Sequence, residues 1–219
     1  MRAHRAIAVA FAAAILWIAP AVASAVAAPE SDAGLDRLRR VLDRTTLAAV
    51  ESVLTDAAGR GLPTAPIVST ALEGATRNLP GPRIAEAARA KEHALDQARH
   101  ALGPGVSTDA LLAGASALLA GASPSALDSL AHLRRSESLV VPLIVLCDLL
   151  SRGVPRSQAE FAVIRTTVTG HPDTALLRLR DRIVDDLGHG RPAAQATQSR
   201  LRELLGPSSG PSPTTGGRP

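Results

Sequence analysis

Five times along this chain a run of periodic apolar residues stops at a small residue or an asparagine and restarts around a proline. The corners are Gly61-Leu62-Pro63, Asn78-Leu79-Pro80, Ala122-Ser123-Pro124, Gly153-Val154-Pro155 and Gly190-Arg191-Pro192. A glycine or asparagine just past a helix end takes up the left-handed conformation that caps the last carbonyls. A proline shortly afterwards cannot continue the old helix but opens a new one. Each corner therefore predicts a tight helix–turn–helix. At three of them an apolar residue (Leu62, Leu79, Val154) follows the capping position and is expected to fold back onto the last helical turn. The prolines lie 17, 44, 31 and 37 residues apart, so degenerate helical hairpins are expected instead of a strict solenoid period.

Between the corners, Leu, Ala, Val and Arg dominate from Leu35 to Leu205, and nothing alternates cleanly at period two. The expected fold class is all-α: a compact, irregular array of about eight short helices behind an N-terminal signal helix. The segments marked out are Leu35–Leu42, Leu47–Arg60, Ala65–Arg77, Arg83–Leu102, Asp109–Ala120, Ser125–Leu133, Leu139–Ser151, Arg156–Val168, Thr174–Leu187 and Ala193–Leu205. Asp43 or Thr45, Ser107 or Thr108, Ser123 and Ser138 stand where N-caps are needed. In the longest segment Ile84, Ala88, Lys91, Leu95, Ala98 and Leu102 form a narrow packing seam, with the Lys91 ammonium expected to snorkel to its edge. By domain, residues 1–27 read as a signal peptide and 28–46 as a lead-in with a short helix. Residues 47–206 read as the helical domain, and 207–219, rich in Gly, Pro, Ser and Thr, as a disordered tail.

The N-terminus carries Arg2 and Arg5, an apolar run from Ala6 to Ile18, then small residues to Ala28. That order is the secretory signal pattern, with cleavage expected after Ala25 or Ala27. The expected location is periplasmic or extracellular, with no membrane span once the signal is removed. An uncleaved N-terminal helix acting as a membrane anchor is the alternative. Removal leaves 22 basic residues against 20 acidic ones, so the net charge falls from +4 to +2. A nearly neutral chain lacks the electrostatic footprint of a nucleic-acid binder.

Aromatic content excludes more. Phe11 and Trp17 lie in the expected signal, and Phe161 is then the only aromatic residue left. Base-stacking platforms and quaternary-amine cages both need several rings. Cys147 is the single cysteine, so no internal disulfide framework exists. It lies in the most apolar run, Leu139–Leu150, and reads as a small buried hydrophobe.

Motifs for chemistry are missing. Gly114-Ala-Ser-Ala-Leu118 and Gly121-Ala-Ser-Pro-Ser125 lack the second glycine of a nucleophile elbow. Neither a phosphate loop nor a His-Glu-x-x-His zinc motif occurs. His93, Asp96 and His100 share one helix face with Gln97 and are candidate metal ligands by residue type. Two imidazoles seven residues apart on a helix stand ~10 Å from each other, too far to share one ion at about 2 Å. A polar solvent face is the expected reading, with no metal and no cofactor. His132 and His189 sit at helix C-termini, which favour an imidazole, and His171-Pro172-Asp173 reads as a turn into a helix cap. Arg178, Asp181, Arg182 and Asp185 are expected to pair along one solvated face. Asp185 and Asp186 are neighbours and diverge around the helix.

The Gly-Leu-Pro and Gly-Val-Pro corners, as in Arg60-Gly-Leu-Pro-Thr-Ala-Pro-Ile67 and Arg152-Gly-Val-Pro-Arg-Ser-Gln158, resemble those of uncharacterised secreted helical proteins of GC-rich bacteria. The resemblance covers Leu47 to Leu205 and implies no activity, cofactor or functional residue. Together these features lead to an expectation of a non-catalytic interaction or scaffold module of the cell envelope, binding a protein partner or itself. A carrier of an apolar, lipid-like ligand is the alternative, and a hydrolase with an unrecognised site is third.

Overall fold

The computed structural model describes residues 28–206; the expected signal peptide (1–27) and tail (207–219) lie outside them. Ten helices fill the described residues: α1 (Ala28–Val41), α2 (Arg44–Gly59), α3 (Ala65–Thr76), α4 (Gly81–Leu102), α5 (Thr108–Leu119), α6 (Pro124–Leu133), α7 (Val140–Ser151), α8 (Arg156–Val168), α9 (Asp173–Gly188) and α10 (Ala193–Leu205). Every segment marked out from the sequence is one of these helices, so the described residues hold ten where the expected array had about eight, and they hold no strand. None of the helices is long and apolar enough to cross a membrane.

The corners share one hydrogen-bond pattern. At the first, the Gly61 N–H donates to the Ala58 carbonyl at 2.8 Å and the Leu62 N–H to the Ala57 carbonyl at 2.9 Å. The same two bonds recur at Asn78/Leu79, Gly121/Ala122, Gly153/Val154 and Gly190/Arg191. This is the double cap that satisfies a helix's last carbonyls, and it needs a left-handed residue, here including Asn78 at φ 54°. Gly170, two residues before Pro172, is also left-handed and donates to Thr167 at 3.1 Å, a sixth corner that reads in the sequence only as a turn.

Leu62 and Val154 fold back onto the last turn and are buried, as expected, but Leu79 is 42% exposed. The difference lies in the residue each would pack against, the acceptor of the second cap bond. That residue is Ala57 for Leu62 and Leu149 for Val154, but Gly74 for Leu79. A glycine offers Leu79 no side chain. Gly74 in turn faces α4, where a β-carbon would stand 3.1 Å from Ile84.

The helices stack in two rows. Even-numbered helices lie side by side, α2 on α4, α4 on α6, α6 on α8 and α8 on α10; odd-numbered helices pair α1 with α3, α5 with α7 and α7 with α9. The rows meet where α3 and α5 pack on α4, α7 on α8 and α9 on α10. Each helix thus touches its near neighbours in sequence, the logic of a solenoid. Helix α4, with 22 residues, is the longest, and it packs on both α3 and α5 where the odd row loses its regular pairing. Its seam residues Ile84, Ala88, Leu95, Ala98 and Leu102 are buried. Lys91 interrupts the seam half-buried, and burial pushes its ammonium pKa down. Between the rows runs one continuous Leu/Ala/Val core, with α1 joined to it through fully buried Leu38.

Candidate functional site

Helix α7 is flanked on nearly every side, and the faces it turns to its neighbours are apolar. Leu143, Val145, Leu146 and Leu149 are fully buried among α5, α8 and α9. The remaining face carries Val140, Ile144, Cys147, Asp148 and Ser151, spaced to share one helix surface. Helices α5 and α9 do not close over that face, leaving a surface groove of about 800 Å³. Leu112 and Ala113 of α5, Val140 and Ile144 of α7 and Val184 of α9 supply its apolar surface. Ile144 is 44% exposed there. Cys147, expected in the core, is half-buried on the groove wall instead, because the core closes beneath it and not above.

The groove's charges are unevenly matched. Asp148 takes the Arg152 Nε at 3.0 Å and faces the Arg180 Nε at 3.8 Å. Arg180 also donates to Asp181 at 2.6 and 2.9 Å. Asp109, in the first turn of α5, has no ion-pair partner among the described residues; the positive end of the helix dipole suits it. Three carboxylates thus line the groove against two guanidiniums. No lining residue is a histidine, so Cys147, Ser116 and Ser151 have no imidazole beside them to act as a base.

The three metal-ligand candidates are not brought together. Asp96 is paired with Arg60 at 3.2 Å and lies 3.8 Å from the His100 Nε2, while His93 points to solvent. Among the described residues no three His, Cys, Asp or Glu side chains converge as a metal site. The face expected to be solvated is partly a clamp. Arg60 also pairs with Glu92, and Arg99 donates to the Arg60 and Gly61 carbonyls at 2.7 and 2.6 Å. These contacts tie the end of α2 to the side of α4.

Other charges depart from the expected pairing as well. Arg182 reaches Glu203 of α10 at 2.5 Å instead of a neighbour on its own helix, and Asp181 takes Arg180. Asp186 is 5% exposed and accepts two bonds from Arg200 at 2.8 Å and one from Arg191 at 3.2 Å. Hydrogen bonding from Arg200 holds the Asp186 and Glu203 carboxyls below the usual carboxylate range. Arg134, also buried, joins the end of α6 to Asp173 of α9 at 2.5 Å. Apart from Arg180 with Asp181 and Arg191 with Asp186, the partners in these clusters are 14 to 39 residues apart, beyond any periodic signal.

On the other row, α8 and α10 frame a second groove of about 470 Å³, lined by Phe161, Leu201 and Leu205 among others. Phe161 is 55% exposed, with the Arg165 guanidinium 6.0 Å from its ring centre. Both grooves lie on the outside of the stack. No protein-family model, curated protein or solved structure matches this chain.

Proposed function

We propose that this chain is a non-catalytic interaction or scaffold module of the bacterial cell envelope, and that the α5–α7–α9 groove receives its protein partner. The observation that carries the reading is the apolar strip of half-buried Val140 and exposed Ile144 on the central helix of a stack, rimmed by charged residues. Stacked helical hairpins use such surfaces to bind other proteins. The open groove suits a macromolecular segment better than a lipid-like ligand, which is held best where most of its surface is buried. The basic, apolar and small-residue order of residues 1–27 supports export.

Native mass spectrometry of the chain taken gently from the envelope or medium of its host tests this. The expected result is a complex with protein, a second polypeptide or further copies of this chain, lost in Ile144→Glu while helix content is unchanged. A retained small-molecule adduct without a protein would overturn the reading in favour of the carrier. A partner kept by Ile144→Glu would overturn the groove assignment. The same spectrum reports whether the residues up to Ala25 or Ala27 have been removed.

A further inference from the structure

We infer that the groove's occupant is a second copy of this chain, offered through the exposed ridge Phe161–Arg165–Val168 of α8, so that copies join head to tail. The inference rests on the groove being a protein-binding surface. The ridge residues are spaced by four and three, which places them on one helix face. Phe161 and Val168 are 55% and 50% exposed, Phe161 being the most exposed of the large apolar side chains among the described residues. Phe161 is also the only aromatic residue after Trp17. Arg165 lies against the Phe161 ring and has no carboxylate partner among the described residues.

The groove is the chemical complement of this ridge. It offers Ile144, Val140 and Leu112 to apolar side chains and the unpaired Asp109 to a guanidinium. An apolar–cation–apolar ridge entering an apolar groove with a free carboxylate leaves neither charge unmatched. The two surfaces also face opposite ways. The groove at Ile144 is lined by odd-row helices alone and the groove at Phe161 by even-row helices alone, which puts the two surfaces on opposite faces of the stack. Two copies cannot therefore satisfy both surfaces by a mutual exchange. The contact is heterologous and propagates, one copy's ridge in the next copy's groove.

Sedimentation velocity on the purified exported chain tests this. The wild type is expected to grow in mass with concentration, while Ile144→Glu and Phe161→Asp are each monomeric with unchanged helix content. An equimolar mixture of the two variants retains one intact groove and one intact ridge, and is expected to give a dimer that grows no further. Asp109→Arg and Arg165→Asp should each weaken association by roughly two- to fivefold, and the chain carrying both should recover it. A monomeric mixture, association by either variant alone, or no recovery in the charge swap would overturn the proposal. So would a wild type that stays monomeric at every concentration. The groove's role in binding some other protein fails on a separate readout, retention of that protein by Ile144→Glu.

Discussion

Two junctions of the stack, α2 with α4 near its start and α9 with α10 at its end, both carry an arginine–carboxylate cluster, yet the clusters do different work. Helix α2 buries Thr46, Val50, Val53, Leu54 and Ala57, and its N-terminus meets α4 so closely that Gly81 has no room for a side chain. The Arg60 clamp with Glu92 and Asp96 is added to an interface already closed by packing. Helix α10 buries only Ala196, Thr197 and Leu201. There the Asp186–Arg200 pair lies inside the interface. Breaking a buried pair by removing one partner costs more than breaking an exposed one. Helix α2 is held by fit, whereas α10, which buries fewer side chains, depends on its ions.

The contrast is sharpest in Gly81→Ala. A β-carbon there would stand 1.9 Å from the Thr46 Oγ1, which is fixed by a 2.5 Å bond to Asp43. Thr46 is branched at Cβ and has few rotamers to escape into. We expect a loss of about 2 kcal/mol in denaturant unfolding, an overpacking cost. Adding Thr46→Ala should return part of it, and a strictly additive double variant would disprove the contact.

Asp186→Asn should instead act locally. Hydrogen exchange is expected to quicken across α10 and leave α2 and α4 unchanged; a uniform change would erase the distinction between the junctions. The pH dependence has a definite sign. The Asp186 carboxyl is held below its ordinary value by Arg200. Its contribution is therefore complete above the unfolded value of about 3.9 and is lost as the pH falls through the lower, folded value. The wild type and Asp186→Asn should differ in melting temperature at neutral pH and converge in acid.

Lys91→Met is the smallest of the three effects and opposite in sign. It replaces a half-buried ammonium in the α4 seam by an apolar side chain of similar length. A gain of about 0.5–1 kcal/mol is expected. A loss would mean that Lys91 has a role beyond packing.

Much of the fold is legible in the sequence because its signals are local. Gly61 with Pro63 and Gly153 with Pro155 state a helix end and a helix start within three residues, and the two cap bonds follow. The buried seam of α4 is stated by spacing alone. Leu79 marks the limit: its apolar contact depends on the residue five positions earlier, which packing against Ile84 has made a glycine. The candidate site was not legible, because the groove exists only where three helices separated by corners come side by side. Ile144 and Leu143 are adjacent in the same apolar run, and only the stacking decides that one is exposed and the other fully buried. Cys147 lies on the groove wall instead of in the core for the same reason. Asp186 and Arg200 find each other across a corner whose geometry no pattern of charges reveals.

The pairing of each helix with its near neighbours in sequence bears on how the chain folds. Few contacts require distant parts of the sequence to meet, so little loop-closure entropy stands before the first favourable burial. A chain appearing N-terminus first can pack α1 as soon as α3 has emerged and α2 as soon as α4 has. The stack is then assembled at the pace at which it is delivered, and the apolar length exposed at any instant is about two helices.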